Sequence, residues 1–259
     1  MAVRSEQISL QSTIPIQGSR SSGGMELALP LAGRLGMRVL DTDDLVFRVA
    51  HEGLREHIFD EPEEGPMQMR QAGLDLIRTW LEDKGKPHFE IVRSDQGRMH
   101  LVSGRRDLTV HPLSETWPVS RGKLEIAAGA VEQSTVVRQL MRPIVREGII
   151  RTGGGVLVTD LPSDEIVPEA RIKYAVVAQY GDAAQHRLHT RRAVMKKRGK
   201  EMDFLALLDR YYSLHNSPAG ATLINTSPYI LRRGGMDELA DHIAMQLSNS
   251  LPETLNEQR

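Results

Sequence analysis

The chain contains no cysteine, few aromatic residues and almost no net charge. Of its 259 residues none is Cys, 4% are aromatic, and the formal net charge at pH 7 is −1. The lack of cysteine excludes disulfide bonds, thiolate nucleophiles and zinc–thiolate sites. A charge so close to zero provides no bulk attraction to nucleic acid or to a membrane surface.

Long hydrophobic runs and a secretory leader are also missing. No apolar segment approaches the roughly 20 residues that a membrane-spanning helix needs. Residues 1–11 are polar where a signal peptide would be apolar. We therefore expect a cytoplasmic protein without membrane contacts. The length and the 40% hydrophobic content suit one large α/β domain, or a core that carries an insertion.

A strand, a glycine- and serine-rich turn and a helix are predicted near the N-terminus. The apolar run 13–17 is followed by Gly18, and a helical pattern covers Gly24–Leu35. The spacing of Gly18 and Gly23 matches a phosphate-binding loop, G-x-x-x-x-G-K-[ST], but Gly24 and Met25 replace its Lys and hydroxyl residues. Backbone N–H groups can bind an anion without side chains, so the pattern favours phosphate binding more than catalysis. The predicted cofactor-binding residues are Gly18, Ser19, Arg20, Ser21, Ser22, Gly23, Gly24, Met25 and Glu26.

Three features of this segment have a second interpretation. The glycines alone would also suit an ordinary tight turn. Arg20 either replaces the missing Lys beside a phosphate or is a solvated loop residue. Glu26 either holds a metal ion or only stabilises the positive end of the helix dipole.

Alternating strand and helix patterns continue along the chain and predict a parallel sheet covered by helices. A second strand over Met37–Leu40 ends in Asp41 and Thr42, and a helix follows through Val46 and Ala50. Residues 126–145 read as one helix or two. Other predicted elements are a hairpin of Phe89–Val92 with Met99–Val102, strands at Val156–Val158, Ile172–Ala178 and Ala221–Asn225, and a helix over Met236–Leu247.

Charged residues and glycines outside the loop provide further candidates. Asp41 and Asp43 end a strand, where α/β sheets bind ligands, although Asp43 or Asp44 could instead cap the helix that follows. Arg138, Arg142 and Arg146 recur every four residues, so they either clamp a phosphate or form ion pairs on a solvated face. The run Gly153–Gly155 either approaches a ligand closely or is a flexible start to a strand.

The densest basic stretch runs from Arg187 to Arg198. It suits a lid that neutralises phosphate charge, or a surface that binds RNA or an acidic partner. No aromatic residue lies within 187–200, which disfavours single-stranded nucleic acid as the partner. His186 and His189 lack a third ligand at suitable spacing, so no metal-binding cluster is predicted.

Together these motifs resemble the cytidylate kinase family over nearly the whole chain. The resemblance rests on the strand, loop and helix from Ile16 to Leu35, and on the Asp41-Thr42 turn. It also rests on the order of four later segments: the hairpin region Phe89–Leu108, Val137-Arg138…Arg146, Leu161-Pro162-Ser-Asp164 and Arg187…Arg191-Arg192. Three segments resemble the divergent cytidylate kinase-like branch: Ser22–Leu27, Tyr211-Tyr212 and Ile224-Asn225-Thr226-Ser227.

This resemblance implies a P-loop three-layer α/β/α fold with a parallel sheet, a nucleoside-monophosphate-binding insertion and a helical lid. Residues 1–50 and 131–259 would form the core, with the lid at about 187–215, and residues 51–130 would form the insertion that contains the hairpin. The implied reaction is ATP-dependent phosphoryl transfer to CMP, dCMP or a related small acceptor, with ATP and Mg²⁺ bound. The catalytic residues implied are Arg187, Arg191, Arg192 and Arg210, and the substrate-binding residues are Asp41, Thr42, Arg48, Arg138, Arg146, Arg151 and Gly154.

The chain also departs from the family pattern at each part of the site. Gly153–Gly155 aligns with the family's Gly-Arg-Asp triplet, and the lid motif is reduced to Asp209-Arg210. Phe47-Arg48 stands one residue away from the family's Tyr-Arg pair. The alternative is therefore a catalytically impaired protein that binds a nucleotide or a partner on a kinase fold. The sequence leaves the acceptor and the oligomeric state open.

Overall fold

The computed structural model of the chain describes the core of an α/β protein. The described residues are 2–18, 22–42, 45–46, 49–50, 75, 78, 89–93, 98–103, 121–178 and 220–250. The strands are β1 (Ile14–Gly18), β2 (Val39–Asp41), β3 (Phe89–Arg93), β4 (Arg98–Ser103), β5 (Val156–Thr159), β6 (Tyr174–Val177) and β7 (Thr222–Asn225). The helices are α1 (Ala2–Gln11), α2 (Gly24–Leu35), α3 (Arg121–Gln133), α4 (Thr135–Thr152), α5 (Ser163–Ile166), α6 (Ser227–Ile230) and α7 (Gly235–Ser250).

The strands form one sheet in the order β3-β4-β2-β5-β1-β6-β7. The central five strands, β2-β5-β1-β6-β7, are all parallel. Strand β4 extends the sheet in parallel beside β2, and β3 pairs antiparallel with β4. The predicted hairpin therefore exists and continues the main sheet. A parallel sheet requires crossover connections, and among the described residues α2 lies between β1 and β2, α3 and α4 lie between β4 and β5, and α5 lies between β5 and β6.

Helices cover both faces of the sheet because its strands alternate apolar side chains between two core clusters. On β5, Leu157 belongs to the first cluster, whereas Val156 belongs to the second. The first cluster contains residues of α1, α3, α4 and α5, and we call this side the first face. The second cluster contains residues of α2, α6 and α7, on the second face. Near-continuous apolar strands are typical of a parallel sheet that is buried on both sides.

Residues 121–152 form two helices, which settles the open choice for this region. Ser134 separates them and caps α4, because its hydroxyl accepts a hydrogen bond from the N–H of Val137 (3.4 Å). Pro143 lies within α4 without ending it. At the other end Gly153 has a left-handed φ of 74°, and the N–H of Gly154 bonds the carbonyl of Ile149 (2.9 Å). Such a glycine is a common helix terminator.

The helices α2 and α7 make the largest helix–helix contact on the second face. Arg34, near the end of α2, forms ion pairs with Asp237 (3.5 Å) and Asp241 on α7. Among the helices within the described residues, none combines the length and the apolar character that a bilayer crossing requires.

Candidate functional site

The parallel strands place a loop and several polar residues at one edge of the sheet, which we call the carboxyl edge. Strand β1 ends at Gly18, β2 at Asp41 and β5 at Thr159. The chain leaves β1 through α2 on the second face and leaves its neighbour β5 through α5 on the first face. Connections that depart to opposite faces create a crevice between the two strands, where open α/β sheets bind ligands.

Gly18, which ends β1 and begins the predicted loop, is packed tightly against strand β6. Gly18 is paired with Val176, and a Cβ atom at Gly18 would clash with the Val176 side chain and lie 2.7 Å from its carbonyl oxygen. Ser22 is 1% exposed, and Gly23 has a φ of 86° immediately before the helix. Both glycines are therefore required by the backbone path, whereas a Cβ at Gly24 would make only ordinary contacts at 3.6–3.8 Å.

A buried threonine bonds this loop to the end of the sheet. Thr226 follows β7 and has no exposed surface. Its hydroxyl lies 2.5 Å from the carbonyl oxygen of Ser22 and 3.0 Å from that of Val177, and its N–H donates to Val177 (2.8 Å). The loop is thus held from the side of β6 and β7.

Polar residues also line the ends of β2 and β5. Thr42 donates its hydroxyl to that of Thr159 (3.1 Å), and the Thr159 oxygen accepts the N–H of Leu161 (3.0 Å). Both threonines are buried. The adjoining residues Asp41 and Asp160 are each only 6% exposed. The hydroxyl pair therefore fixes two strand ends that each carry a carboxylate.

The end of β1 contributes a third polar side chain to the same edge. Gln17 is paired with Thr159 in the sheet, so Gly18 and Asp160 follow directly on neighbouring strands. The side-chain oxygen of Gln17 accepts the N–H of Ser163 at 2.8 Å. This bond fixes the start of α5 against β1.

Arg138, a predicted substrate-binding residue, is fully engaged by the protein. Its guanidinium makes a two-pronged contact with Glu165 (2.8 and 2.9 Å) and donates to the carbonyls of Glu132 (2.9 Å) and Gln133 (2.8 Å). Its side chain therefore joins the end of α3 to α5. A phosphate could bind it only by displacing these acceptors.

Arg146, predicted for the same role, forms a similar pair with Glu169. The two nitrogens lie 2.7 Å from the two carboxylate oxygens. The hydrogen bonds between the two side chains lower the pKa of Glu169, although its desolvation acts in the opposite direction. The same hydrogen bonds raise the pKa of Arg146. The side chains are 23% and 30% exposed, so the pair is only partly screened by water.

The structure does not bring Arg151 and Gly154 to the loop. Both lie where α4 leads into the start of β5, at the opposite end of the parallel strands, which we call the amino edge. Arg151 forms an ion pair with Glu147. A Cβ at Gly154 would lie 2.6 Å from the Ser12 hydroxyl, so this glycine allows α1 to pack closely. The glycine run serves helix termination and packing.

Six of the predicted loop residues lie in the described part of the chain. Gly18, Ser22, Gly23 and Gly24 lie between the end of β1 and the start of α2; Met25 packs against the second core cluster, and Glu26 is exposed on the first turn of α2. Several predicted residues lie outside the described part of the chain: Ser19, Arg20, Ser21, Arg48, Arg187, Arg191, Arg192 and Arg210.

Sequence reasoning overlooked Thr159, Asp160 and Gln17, and noted Thr226 only as part of a motif. The sequence did contain a pattern that indicates Thr159 and Asp160. Val156–Val158 is an apolar run followed at once by Thr and Asp, the same pattern that indicated Asp41 and Thr42. The bond from Thr226 to Ser22 joins residues 204 positions apart, which no local pattern indicates.

No protein-family model matches the chain, and no curated protein matches it significantly.

Proposed function

We propose that the chain binds the phosphates of ATP at the carboxyl edge and transfers a phosphoryl group to CMP, dCMP or a related small acceptor. It would do so as a divergent P-loop nucleoside monophosphate kinase. The supporting observation is the position of the two described ends of the predicted loop, Gly18 and Ser22–Gly24. Gly18 ends β1 at the crevice between β1 and β5, Asp160 follows the neighbouring strand β5, and the Asp41-Thr42 pair ends the next strand, β2.

The loop offers backbone N–H groups instead of a lysine. The N-terminus of α2 carries the positive end of the helix dipole, which favours a negatively charged ligand. Gly18 and Gly23 permit the close path that brings this helix end to the sheet. Such a loop can hold phosphate through its backbone, although it contributes less charge than one with a lysine.

Magnesium fits the chemistry of the neighbouring residues. Mg²⁺ prefers oxygen ligands and in kinases is held by one or two carboxylates together with substrate phosphates and water. Asp41 and Asp160 would hold it, since they stand at the ends of adjacent strands β2 and β5. When bound, the ion would neutralise part of the phosphate charge.

The charge on the transferred group requires further cations. Arg138, Arg146 and Arg151 are each paired with a glutamate. In this proposal the catalytic cations are Arg187, Arg191, Arg192 and Arg210, which follow β6 in the sequence. The end of β6 lies beside Gly18, because Val176 is paired with Gly18 in the sheet.

A second candidate function is nucleotide binding without phosphoryl transfer. Two observations favour it: the loop lacks a lysine, and three predicted phosphate-binding arginines are paired with glutamates. Loss of one charge-stabilising donor typically costs about 10²–10³ in rate. The two candidates share the binding site and differ in turnover.

Calorimetry with Mg²⁺–ATP and with CMP, followed by product analysis on the same samples, tests both functions. Binding with formation of ADP and CDP is the expected result for the kinase. Binding of ATP without product across a wider set of acceptors would favour the second candidate. No binding of either nucleotide would refute both.

The substitution Gly24→Lys tests the loop itself. A Cβ fits at this position without a clash, so a lysine can be introduced there, and its flexible four-carbon chain would bring a positive charge to the loop. We expect higher affinity for Mg²⁺–ATP, and Gly24→Met is the matched control because it adds an unbranched chain without charge. Equal affinity in the two variants would show that the loop does not face a phosphate.

A further inference from the structure

We propose that Thr226 is a positioning residue that sets the orientation of the Ser22–Gly23 peptide, and through it the phosphate-binding geometry of the loop. This inference rests on the proposed nucleotide site. Thr226 lies more than 200 residues from the loop in sequence, but its hydroxyl contacts the carbonyl that precedes α2.

The Thr226 hydroxyl donates its proton to the carbonyl of Ser22 and not to that of Val177. A threonine hydroxyl has one proton to donate. Its oxygen lies 2.5 Å from the Ser22 carbonyl oxygen and 3.0 Å from that of Val177. Val177 already accepts the Thr226 N–H at 2.8 Å. The Thr226 hydroxyl therefore donates its proton in the shorter contact, to the carbonyl oxygen of Ser22.

The hydrogen bond to Ser22 orients the peptide that immediately precedes α2. The Ser22 carbonyl and the Gly23 N–H belong to one planar trans peptide, so they point in opposite directions. When Thr226 holds the carbonyl, the N–H must point away from Thr226. Gly23 then takes its left-handed φ of 86° and its carbonyl accepts the N–H of Leu27 (2.9 Å), which begins α2.

The same threonine joins the loop to the end of β6. Val177 is the last residue of β6. One buried side chain thus contacts both Ser22, in the loop that would hold the donor, and the end of β6. A change at Thr226 should alter the loop without removing any group that touches the nucleotide.

The test compares Thr226→Val, Thr226→Ser and Thr13→Val in the full chain. Thr13 is the matched control, because its buried hydroxyl also donates to a backbone carbonyl, that of Ser9 (2.8 Å), but at the amino edge. We expect Thr226→Val to weaken Mg²⁺–ATP binding about tenfold, equivalent to the loss of about one hydrogen bond. Thr226→Ser should bind like the wild type, and Thr13→Val should too.

Amide hydrogen exchange in the nucleotide-free protein gives an independent readout. Faster exchange across Gly23–Leu27 in Thr226→Val, but not in Thr13→Val, would support the proposal. The proposal would be overturned if exchange across Gly23–Leu27 were the same in Thr226→Val as in the wild type. It would also be overturned if the wild type binds Mg²⁺–ATP and Thr226→Val binds it with the same affinity. If the wild type does not bind Mg²⁺–ATP, the proposed function fails, and the exchange comparison still decides whether Thr226 orients the loop. Thr226→Ala replaces the valine variant if the latter does not fold.

Discussion

The tight contact between Gly18 and β6 predicts that Gly18→Ala will be destabilising. An added Cβ would clash with the Val176 side chain, and it would lie 2.6 Å from the Ser22 hydroxyl and 2.7 Å from the Val176 carbonyl oxygen. The side chains can rotate, but the carbonyl belongs to a strand that is paired on both sides. Relief therefore requires β1 and β6 to separate locally.

The expected loss follows from two opposing terms. Overpacking in a well-packed region costs about 1–3 kcal/mol, and the contact with backbone favours the upper half of that range. Replacement of glycine also restricts the unfolded chain, which returns about 0.4–1 kcal/mol. A net loss of about 2 kcal/mol would lower the melting temperature by about 4–8 °C for a protein of this size.

Thermal unfolding followed by circular dichroism, with urea titration as a check, measures this loss. Gly24→Ala is the control in the same loop, since its Cβ would make only ordinary contacts and alanine favours the helix. We expect the control to melt at or slightly above the wild-type temperature. A Gly18→Ala variant as stable as the wild type, or less affected than Gly24→Ala, would refute the packing geometry described here.

Two further predictions concern residues away from the loop. The pKa of Glu169 is lowered by Arg146, so their pair stabilises the fold above the ordinary glutamate pKa, and this contribution is lost as pH falls through the lowered value. Glu169→Gln should therefore cost about 1–2 kcal/mol at neutral pH and less in acid, measured by urea titration across pH; an equal loss at both pH values would contradict the pairing. Gly154→Ala should lower the melting temperature, because Gly154 has a φ of 90° and packs on Ser12, but should leave Mg²⁺–ATP affinity unchanged. Weaker nucleotide binding by that variant in calorimetry would contradict its placement at the amino edge.

Much of the α/β core follows from local sequence signals. Helix α2 has the predicted bounds, because a long periodic stretch ends at Gly36, which takes a left-handed φ of 63°. Strands β1, β2, β5, β6 and β7 lie within about one or two residues of their predicted positions, as is usual for element ends. Helix α1 was not predicted, since its sequence is mostly polar and, among its described side chains at positions 4–11, Leu10 alone belongs to the first core cluster.

The candidate site was less predictable because charged side chains find their partners through the tertiary fold. The spacing of Arg138 and Arg146 placed them on one helix face, but it could not reveal Glu165 and Glu169 as acceptors more than 20 residues away. Gly154 shows the same ambiguity, because a glycine beside a ligand and a glycine beside another helix have the same local pattern. Strand ends were more informative, since the topology alone gathers them at one edge.

The contact between α2 and α7 has a consequence for synthesis of the chain. Leu27 and Leu31 of α2 share the second core cluster with Leu239 and Ile243 of α7. At typical elongation rates of about 5–20 residues per second, α7 is made roughly 10–40 s after α2. Throughout that interval the apolar stripe of α2 lacks its cover. The nascent protein is therefore exposed to aggregation on its second face, and co-translational binding by a chaperone would protect this stripe until α7 docks.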